Sequence, residues 1–213
     1  MKKRILLLLV FVLQISLFHY VPALAEGPKN YLKGKFYDSV KNHFLIATKK
    51  MRDNRFEKTV ITMLESDQDG AWGLVINKQL ASIPLGSLIY KSRDLTIKQK
   101  KLYKVKIPVY WGGPVNENKI IVLHSNDYKN DTTKNYKNVS ITTDYKILFD
   151  IADNKGPEKS LVLVGISSWG EGQLEGEMER EGWVLSELNL ELIFEMKNNE
   201  KWLTAINNSF IRL

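Results

Sequence analysis

Two adjacent serines, Ser167 and Ser168, are the residues of this sequence that most resemble a catalytic nucleophile. They follow an apolar run at residues 161–166, which predicts a buried strand, and they precede a predicted helix at about 171–181. A turn between strand and helix exposes a nucleophilic serine when the pattern is G-x-S-x-G. Here Trp169 stands where the last glycine should be. We therefore favour serines that cap the helix, with Trp169 filling the core.

A serine nucleophile also needs a general base and a group that orients the base. His124 is the candidate base and Asp144 or Asp150 could orient its ring, but no spacing in the sequence brings these residues together. A periplasmic serine hydrolase that uses Ser167 or Ser168 is kept as an alternative hypothesis.

Glutamates recur at helical spacing just after the serines, at Glu171, Glu175 and Glu179. A metal site on one helix would need a histidine or a second source of carboxylates. Beyond residue 25 the sequence has two histidines, His43 and His124, and both border apolar runs. We predict a solvated acidic helix face and structural histidines, with neither a metal nor a cofactor.

Glycines suggest a second kind of site, because Gly170 and Gly172 precede a helix whose first N–H groups could bind phosphate. The neighbouring glutamates would repel an anion there, and the sequence has no G-x-x-x-x-G-K-[ST] or G-x-G-x-x-G motif. We predict that these glycines allow close packing of the turn, and we interpret Gly112-Gly113-Pro114 in the same way.

Residues 91–106 form a basic connector. A nucleic-acid site usually adds arginines for base contacts or exposed aromatic rings for stacking, and this segment has one of each. We predict a solvated loop, which could also contact an anionic membrane surface, and regard nucleic acid as an unlikely partner. The basic residues are Lys91, Arg93, Lys98, Lys100, Lys101, Lys104 and Lys106.

The N-terminus has the pattern of a secretory signal peptide. Basic residues at 2–4 precede an apolar run at 5–18, and Ala23 and Ala25 form a small-x-small cleavage site. Cleavage after Ala25 would leave Glu26 as the first residue of a periplasmic or secreted protein. The alternative is an uncleaved inner-membrane anchor, since residues 5–25 just reach the length of a bilayer span.

Composition limits the remaining possibilities. The chain has 213 residues, of which 44% are hydrophobic and 26% charged, as expected for a folded globular protein. The absence of cysteine excludes disulfides, thiolate metal sites and a cysteine nucleophile. The formal charge of +7 includes three basic residues and no acidic residue before residue 26, so the mature chain would carry +4. Much of the basic surplus therefore belongs to the signal peptide.

Apolar periodicity predicts an α+β fold. We expect strands at residues 43–47, 58–65, 71–77, 109–111, 120–124 and 161–166, and an extended segment at 183–194. We expect helices at 85–90, 144–152 with Thr143 as N-cap, 171–181 and 200–210. Strands outnumber helices and many neighbours look antiparallel, which favours a mixed sheet over a doubly wound one. The domain would span residues 43–213, after a polar connecting segment at 26–42.

Four blocks of this sequence resemble the YqgE/AlgH family of bacterial proteins. They occur in the family's order across residues 43–210. The blocks are Phe44-Leu45-Ile46-Ala47 with Met51, Asp53 and Phe56; Gly70-Ala71-Trp72-Gly73-Leu74-Val75-Ile76-Asn77; Tyr110-Trp111-Gly112-Gly113-Pro114-Val115 with Val122-Leu123-His124; and Gly165 with Trp169-Gly170-Glu171-Gly172-Gln173-Leu174-Glu175.

The resemblance implies an α+β fold whose largely antiparallel, branched sheet curls into a pseudo-barrel with flanking helices. It implies no particular reaction, and the family has a historical link to regulation of alginate synthesis. This chain departs from the family pattern at Lys49, at Ser66 and at residues 182–184, and it carries an export signal. We therefore expect an exported, diverged member.

Our leading hypothesis is a non-catalytic envelope protein that binds a protein or a small ligand. The surface formed by the turns at residues 112–114 and 169–175 would be the binding site, and His124 is a further candidate. A regulator that binds nucleic acid is a third possibility if the chain is not exported. The candidate binding residues are Gly112, Gly113, Pro114, His124, Trp169, Gly170, Gly172, Gln173 and Glu175.

Overall fold

The computed structural model describes residues 40–89 and 102–209. The predicted signal peptide, most of the connecting segment and residues 91–101 of the basic connector lie outside the described residues. Within the described ranges, no helix is long and apolar enough to cross a membrane.

The described chain alternates strands with short helices. The strands are β1 His43–Ala47, β2 Val60–Asp67, β3 Gly70–Val75, β4 Gln79–Pro84, β5 Lys106–Trp111, β6 Val115–His124, β7 Lys134–Asn135, β8 Ser140–Thr142, β9 Ser160–Gly170 and β10 Trp183–Glu187. The helices are a 3-10 turn Asn54–Phe56, then α1 Leu85–Ile89, α2 Lys146–Ala152, α3 Gln173–Glu179, α4 Leu190–Phe194 and α5 Asn198–Asn207.

All ten strands belong to one sheet that branches at β9. The last residues of β9 pair with β3, and this arm continues through β2 and β1 to β10. The earlier part of β9, residues 160–166, pairs with β6 on one side and with β5 on the other. These two strands begin the second arm of the sheet, in which β4 pairs with β5, and β8 and β7 follow β6. The β5–β9 pair is parallel and the other pairs are antiparallel.

Side-chain alternation in the sheet creates separate apolar layers. In β2, Val60 and Leu64 face a core shared by both arms of the sheet, whereas Ile61 and Met63 face a second core under α3. The shared core includes Phe44 from one arm and Leu163 from the other, so the sheet curls around it. The curled, branched α+β fold confirms the fold class expected from the sequence.

Backbone crowding at the branch point explains why glycine stands at positions 112, 113 and 165. A Cβ on Gly112 would lie 2.3 Å from the carbonyl oxygen of Gly165, and one on Gly165 would lie 2.2 Å from that of Gly113. Gly113 and Gly165 also have φ values of +148° and +75°. Gly112 and Gly113 therefore let two chain segments cross in contact, as the packing interpretation predicted.

Three local predictions need correction. β9 runs to Gly170, so Ser167 and Ser168 lie in a strand and neither of them caps a helix. The chain is helical at Leu190–Phe194 because Asn189 accepts a hydrogen bond from Leu192 N at 3.1 Å, although we expected an extended segment. Asp144, and not the predicted Thr143, accepts from the first free amide of the next helix, at Lys146.

Candidate functional site

A cavity of about 230 Å³ opens where three parts of the chain meet. Its walls come from the segment around the 3-10 turn, from the end of β9 and from α3. The chain between β1 and β2 contributes Met51 and Phe56, β9 contributes Ser168 and Trp169, and α3 contributes Gln173. These elements are brought together by the sheet, because β9 pairs with β3 in the same arm that contains β1 and β2.

Aromatic rings pack behind the cavity in edge-to-face contacts. Trp183 is fully buried, with its ring centroid 5.8 Å from that of Trp169 and 5.5 Å from that of Phe56. Phe56 also contacts Trp111, at 5.4 Å between centroids. Rings in such tilted arrangements attract each other beyond their burial, so the apolar wall of the cavity is rigid.

A single carboxylate, that of Glu177, fixes this wall. Its Oε2 accepts the indole N–H of Trp183 at 2.7 Å and that of Trp169 at 3.0 Å. Its Oε1 accepts from the side-chain amide of Gln173 at 3.1 Å, and that amide oxygen accepts from Gly170 N at 3.2 Å. Glu177 therefore uses both oxygens to hold three side chains of the cavity in place.

Two of the four cations around the cavity are neutralised by acidic neighbours. Lys50 forms an ion pair with Glu181. Arg55 donates to both carboxylate oxygens of Asp53, at 2.7 to 3.1 Å, and these hydrogen bonds hold the pKa of Asp53 below its ordinary value. The Asp53 carboxylate also caps the 3-10 turn by accepting from Arg55 N at 2.9 Å.

The other two cations of the lining are Arg52 and Arg180. Both side chains line the cavity and both residues are exposed. Within residues 40–89 and 102–209, neither makes a hydrogen bond, an ion pair or a ring contact. Among the described residues, these two guanidinium groups at the mouth of the cavity are therefore unpaired.

Four of the residues expected at a site from the sequence meet at this cavity. Pro114, Trp169 and Gln173 line it, together with Ser168 from the hydrolase alternative. Gly112 and Gly113 lie buried behind Pro114 at the branch point.

The remaining glycines of the predicted site do not pack as expected. A Cβ on Gly170 or on Gly172 would meet no atom within 4 Å, so close packing is the wrong explanation for both. Gly172 has φ +69° at the start of α3, a left-handed conformation that favours glycine. The structure gives no reason for glycine at position 170.

Glu175 also differs from its prediction. It was expected on a solvated acidic face, but its side chain is only 4% exposed, next to the buried Leu174 and Met178. Glu171 and Glu179 are exposed, as predicted. The difference arises because the short helix α3 packs against three strands, β3, β9 and β10, and these strands bury more than one face of the helix.

His124 lies in a different part of the fold and has a structural role. It is fully buried, with Nδ1 at 2.7 Å from the carbonyl oxygen of Ser125 and Nε2 at 2.9 Å from Oγ1 of Thr142. Burial lowers the pKa of His124 below its usual range. A neutral ring with both nitrogens engaged matches the structural reading of this histidine.

The residues of the serine-hydrolase alternative are not brought together. Ser167 is buried and donates to the carbonyl oxygen of Gly112 at 3.1 Å. His124 stands opposite Ser160 in the ladder, seven residues before Ser167 on β9, which is about 20 Å along a strand. Asp150 accepts instead from the hydroxyl of Tyr128 at 2.7 Å.

Metal ligands do not converge anywhere in the part of the chain that the structure describes. No group of three or more histidine, aspartate or glutamate side chains there could hold an ion.

A wider, more open groove of about 900 Å³ lies on the other side of the 3-10 turn. Trp111 and Trp202 line it, and the Lys78 ammonium lies 5.8 Å from the centroid of the Trp111 ring. Glu57 and Glu117 also line this groove, so acidic side chains oppose its basic ones. The smaller cavity contains the residues singled out from the sequence and is the better candidate site.

Sequence reasoning missed the residues that give the cavity its charge and its rigid wall. Arg52, Arg180 and Glu177 carried no recognisable motif. One signal was available: Met51 and Phe56, quoted for the family resemblance, flank Arg52 closely in sequence. These residues lie between two predicted strands, so the segment that contains Arg52 could have been assigned to the site.

Comparison with known proteins identifies relatives over most of the chain. The sequence model of the AlgH-like family DUF179 matches residues 44–213. A UPF0301 protein of Rickettsia akari is 34% identical over 177 residues, which cover 82% of this chain and 90% of that protein. A UPF0301 protein of Vibrio cholerae is 36% identical over 166 residues, covering 78% and 89%.

Solved structures agree with this assignment. The solution structure of the AlgH protein from Pseudomonas aeruginosa is 30% identical, with a TM-score of 0.67, and the match covers 80% of this chain and 88% of that one. A protein from Corynebacterium diphtheriae is similar in fold, with a TM-score of 0.56 at 15% identity, over 76% of this chain and 83% of that one. The chain belongs to the AlgH-like family, DUF179.

Proposed function

We propose that this AlgH-like chain is a non-catalytic binding protein that takes a small ligand or a short protein segment in the cavity between the 3-10 turn, β9 and α3. One observation carries the proposal: packed aromatic rings and two guanidinium groups without a partner among the described residues line the same concave surface. Concave sites with apolar walls and a few fixed polar groups are the usual form of ligand pockets.

The chemistry of the cavity favours binding over catalysis. Ser168 is the serine of its lining, but it lies on the other face of β9 from Trp169, opposite Trp72 in the ladder, so its hydroxyl points away from the aromatic wall. Among the described residues, no histidine lines the cavity. The carboxylates present, Asp53 and Glu177, are already held by Arg55 and by indole N–H groups. These groups stabilise the site's shape and are poorly placed to move a proton from a substrate.

Filling the cavity provides the first test. Gln173 is exposed on α3 and its side-chain amide lies between Glu177 and Gly170 at the cavity, so Gln173→Tyr should place a ring there without disturbing the core. We expect mass spectrometry of the chain purified from cells to find a co-purifying molecule whose occupancy falls about tenfold or more in Gln173→Tyr. Ser82→Tyr, on an exposed strand far along the sequence, is the matched control and should keep it. Equal occupancy in all three proteins, or no bound species, would contradict the proposal.

We also propose that the protein works in the cell envelope, as a periplasmic or secreted protein. The family match begins at residue 44, and the signal-peptide pattern lies before it at residues 1–25. N-terminal sequencing of protein from the periplasmic fraction should begin at Glu26. Leu8→Asp breaks the apolar run and should leave the protein in the cytoplasm with an intact N-terminus. Recovery of the unaltered chain in the cytoplasm, starting at Met1, would refute export.

A further inference from the structure

We propose that the ligand of this cavity is a small organic acid, with its anionic head between Arg52 and Arg180 and its apolar body on the wall formed by Phe56 and Trp169. The inference rests on the proposed binding function and adds the chemical class of the ligand. Three features of the cavity support it: the charges of its lining, its apolar wall and its volume.

The charge balance leaves a positive surplus at the cavity. Lys50 and Arg55 are neutralised by carboxylates within the protein. Arg52 and Arg180 have no such partner among the described residues, and both face the same small space. A guanidinium binds carboxylate and phosphate groups through paired N–H donors, which gives both strength and orientation. Two of them at one mouth form a receptor for an anion.

Among the described residues, Glu177 is the lining carboxylate that forms no ion pair, and it does not cancel this receptor. Both of its oxygens accept hydrogen bonds from Trp169, Trp183 and Gln173, on the wall side of the cavity. Two arginines therefore oppose one carboxylate whose acceptor oxygens are already engaged. A neutral or cationic ligand would leave both guanidinium groups without a partner.

The apolar part of the ligand is defined by the wall. Phe56 and Trp169 are 9% and 6% exposed, and each presents part of its ring to the cavity. The volume of about 230 Å³ lies below the range of roughly 300–1,000 Å³ that is typical of pockets for larger ligands. A single ring or a short chain next to the anionic head fits this space.

Simple acids and their neutral analogue can test the assignment directly. We would titrate the mature chain, labelled with 5-fluorotryptophan, with phenylacetate, phenyl phosphate and phenylacetamide, following the ¹⁹F signals of the five tryptophans. At least one acid should shift the Trp169 signal, and the affinity for the amide should be lower than that for this acid by about tenfold or more. The two acids separate a carboxylate from a phosphate ligand, and preference for either supports the proposal.

Charge-matched variants then locate the anion. Arg52→Gln and Arg180→Gln should each weaken binding of the preferred acid by about tenfold, because each removes a charge-assisted contact. Lys129→Gln removes one exposed charge from a loop outside the cavity lining and should bind like the unaltered chain. Neither arginine holds another residue, so both variants should fold normally.

The outcomes separate this inference from the proposed function. Equal binding of acid and amide, equal loss in Lys129→Gln, or shifts confined to Trp111 and Trp202 would overturn the acid assignment. Failure of both acids to bind would overturn it as well. In each case a co-purifying molecule that is lost in Gln173→Tyr would leave the binding function standing, whereas its absence would remove that function independently.

Discussion

Replacing Glu177 with alanine is expected to lower the free energy of unfolding by about 2 kcal/mol, because two buried indole N–H groups lose their acceptor at once. Each unpaired buried donor costs about 1–3 kcal/mol, and we take the low end because the neighbouring cavity can admit water. Urea unfolding followed by far-ultraviolet circular dichroism measures the loss without depending on tryptophan emission. The expected fall in Tm is roughly 4–8 °C.

The neighbouring helix positions provide matched controls for Glu177→Ala. Glu179→Ala removes a carboxylate from the exposed side of the same helix and should change stability by less than about 0.5 kcal/mol. Glu177→Gln keeps one oxygen that can accept from the indoles, so it should lose less than the alanine variant. If Glu177→Ala and Glu179→Ala are equally stable, Glu177 does not fix the aromatic wall.

A positioning role also predicts a specific spectroscopic change. In Glu177→Ala the indole N–H signals of Trp169 and Trp183 should move and exchange faster with solvent, while that of Trp72, which donates to Glu65 at 2.8 Å, should not. A general loss of stability would affect all three signals together. The pattern of change therefore separates loss of the acceptor from nonspecific unfolding.

Local patterns in the sequence were sufficient to predict the first arm of the sheet. β1 was expected at residues 43–47 and is found there, and the strand expected at residues 58–65 is β2, Val60–Asp67. β2 and β3 form an antiparallel hairpin that turns at residues 67–70, where two aspartates and a glycine are typical of a tight turn. These features depend on residues close together in sequence, where periodicity and turn chemistry act directly.

The features that create the candidate site depend on distant residues and could not be predicted in this way. Nothing local shows that β9 continues beyond Ile166, because its last residues are held by pairing with β3, about a hundred positions earlier. In the same way, Arg52 and Arg180 face one cavity only after the sheet has brought the 3-10 turn next to α3. Pro114, Trp169 and Gln173 were candidates from the sequence and line this cavity, but the residues that lie beside them there follow only from the three-dimensional fold.

The second large effect concerns Lys201, a cation buried under the shared core. Its side chain is 1% exposed, and Nζ donates to the carbonyl oxygens of Ile76 at 3.1 Å and Ile193 at 2.8 Å. No carboxylate of the described ranges forms an ion pair with it. Carbonyl oxygens compensate only part of the lost hydration, so burial lowers the pKa of Lys201 from 10.5 to about 8.

The lowered pKa makes stability depend on pH in a defined direction. Between about pH 8 and pH 10.5 the unfolded chain keeps the Lys201 proton and the folded chain has released it, so stability rises with pH across this window. The full difference corresponds to about 3 kcal/mol. Lys201→Met removes the titrating group, and the stability of the unaltered chain relative to this variant should therefore increase by about that amount from pH 7.5 to pH 10.5.

The stability difference between the unaltered chain and Lys201→Met is measured at each pH. Contributions from the tyrosines and the other lysines cancel in this difference, because both proteins contain them. Lys197→Met, at the exposed start of the same helix, is the matched control and should follow the unaltered chain at every pH. Lys201→Met leaves the two carbonyl oxygens without their donor, so a constant loss of stability is expected in addition, and only the slope tests the buried charge. A stability difference that stays constant from pH 7.5 to pH 10.5 would show that the Lys201 ammonium is hydrated in the folded protein.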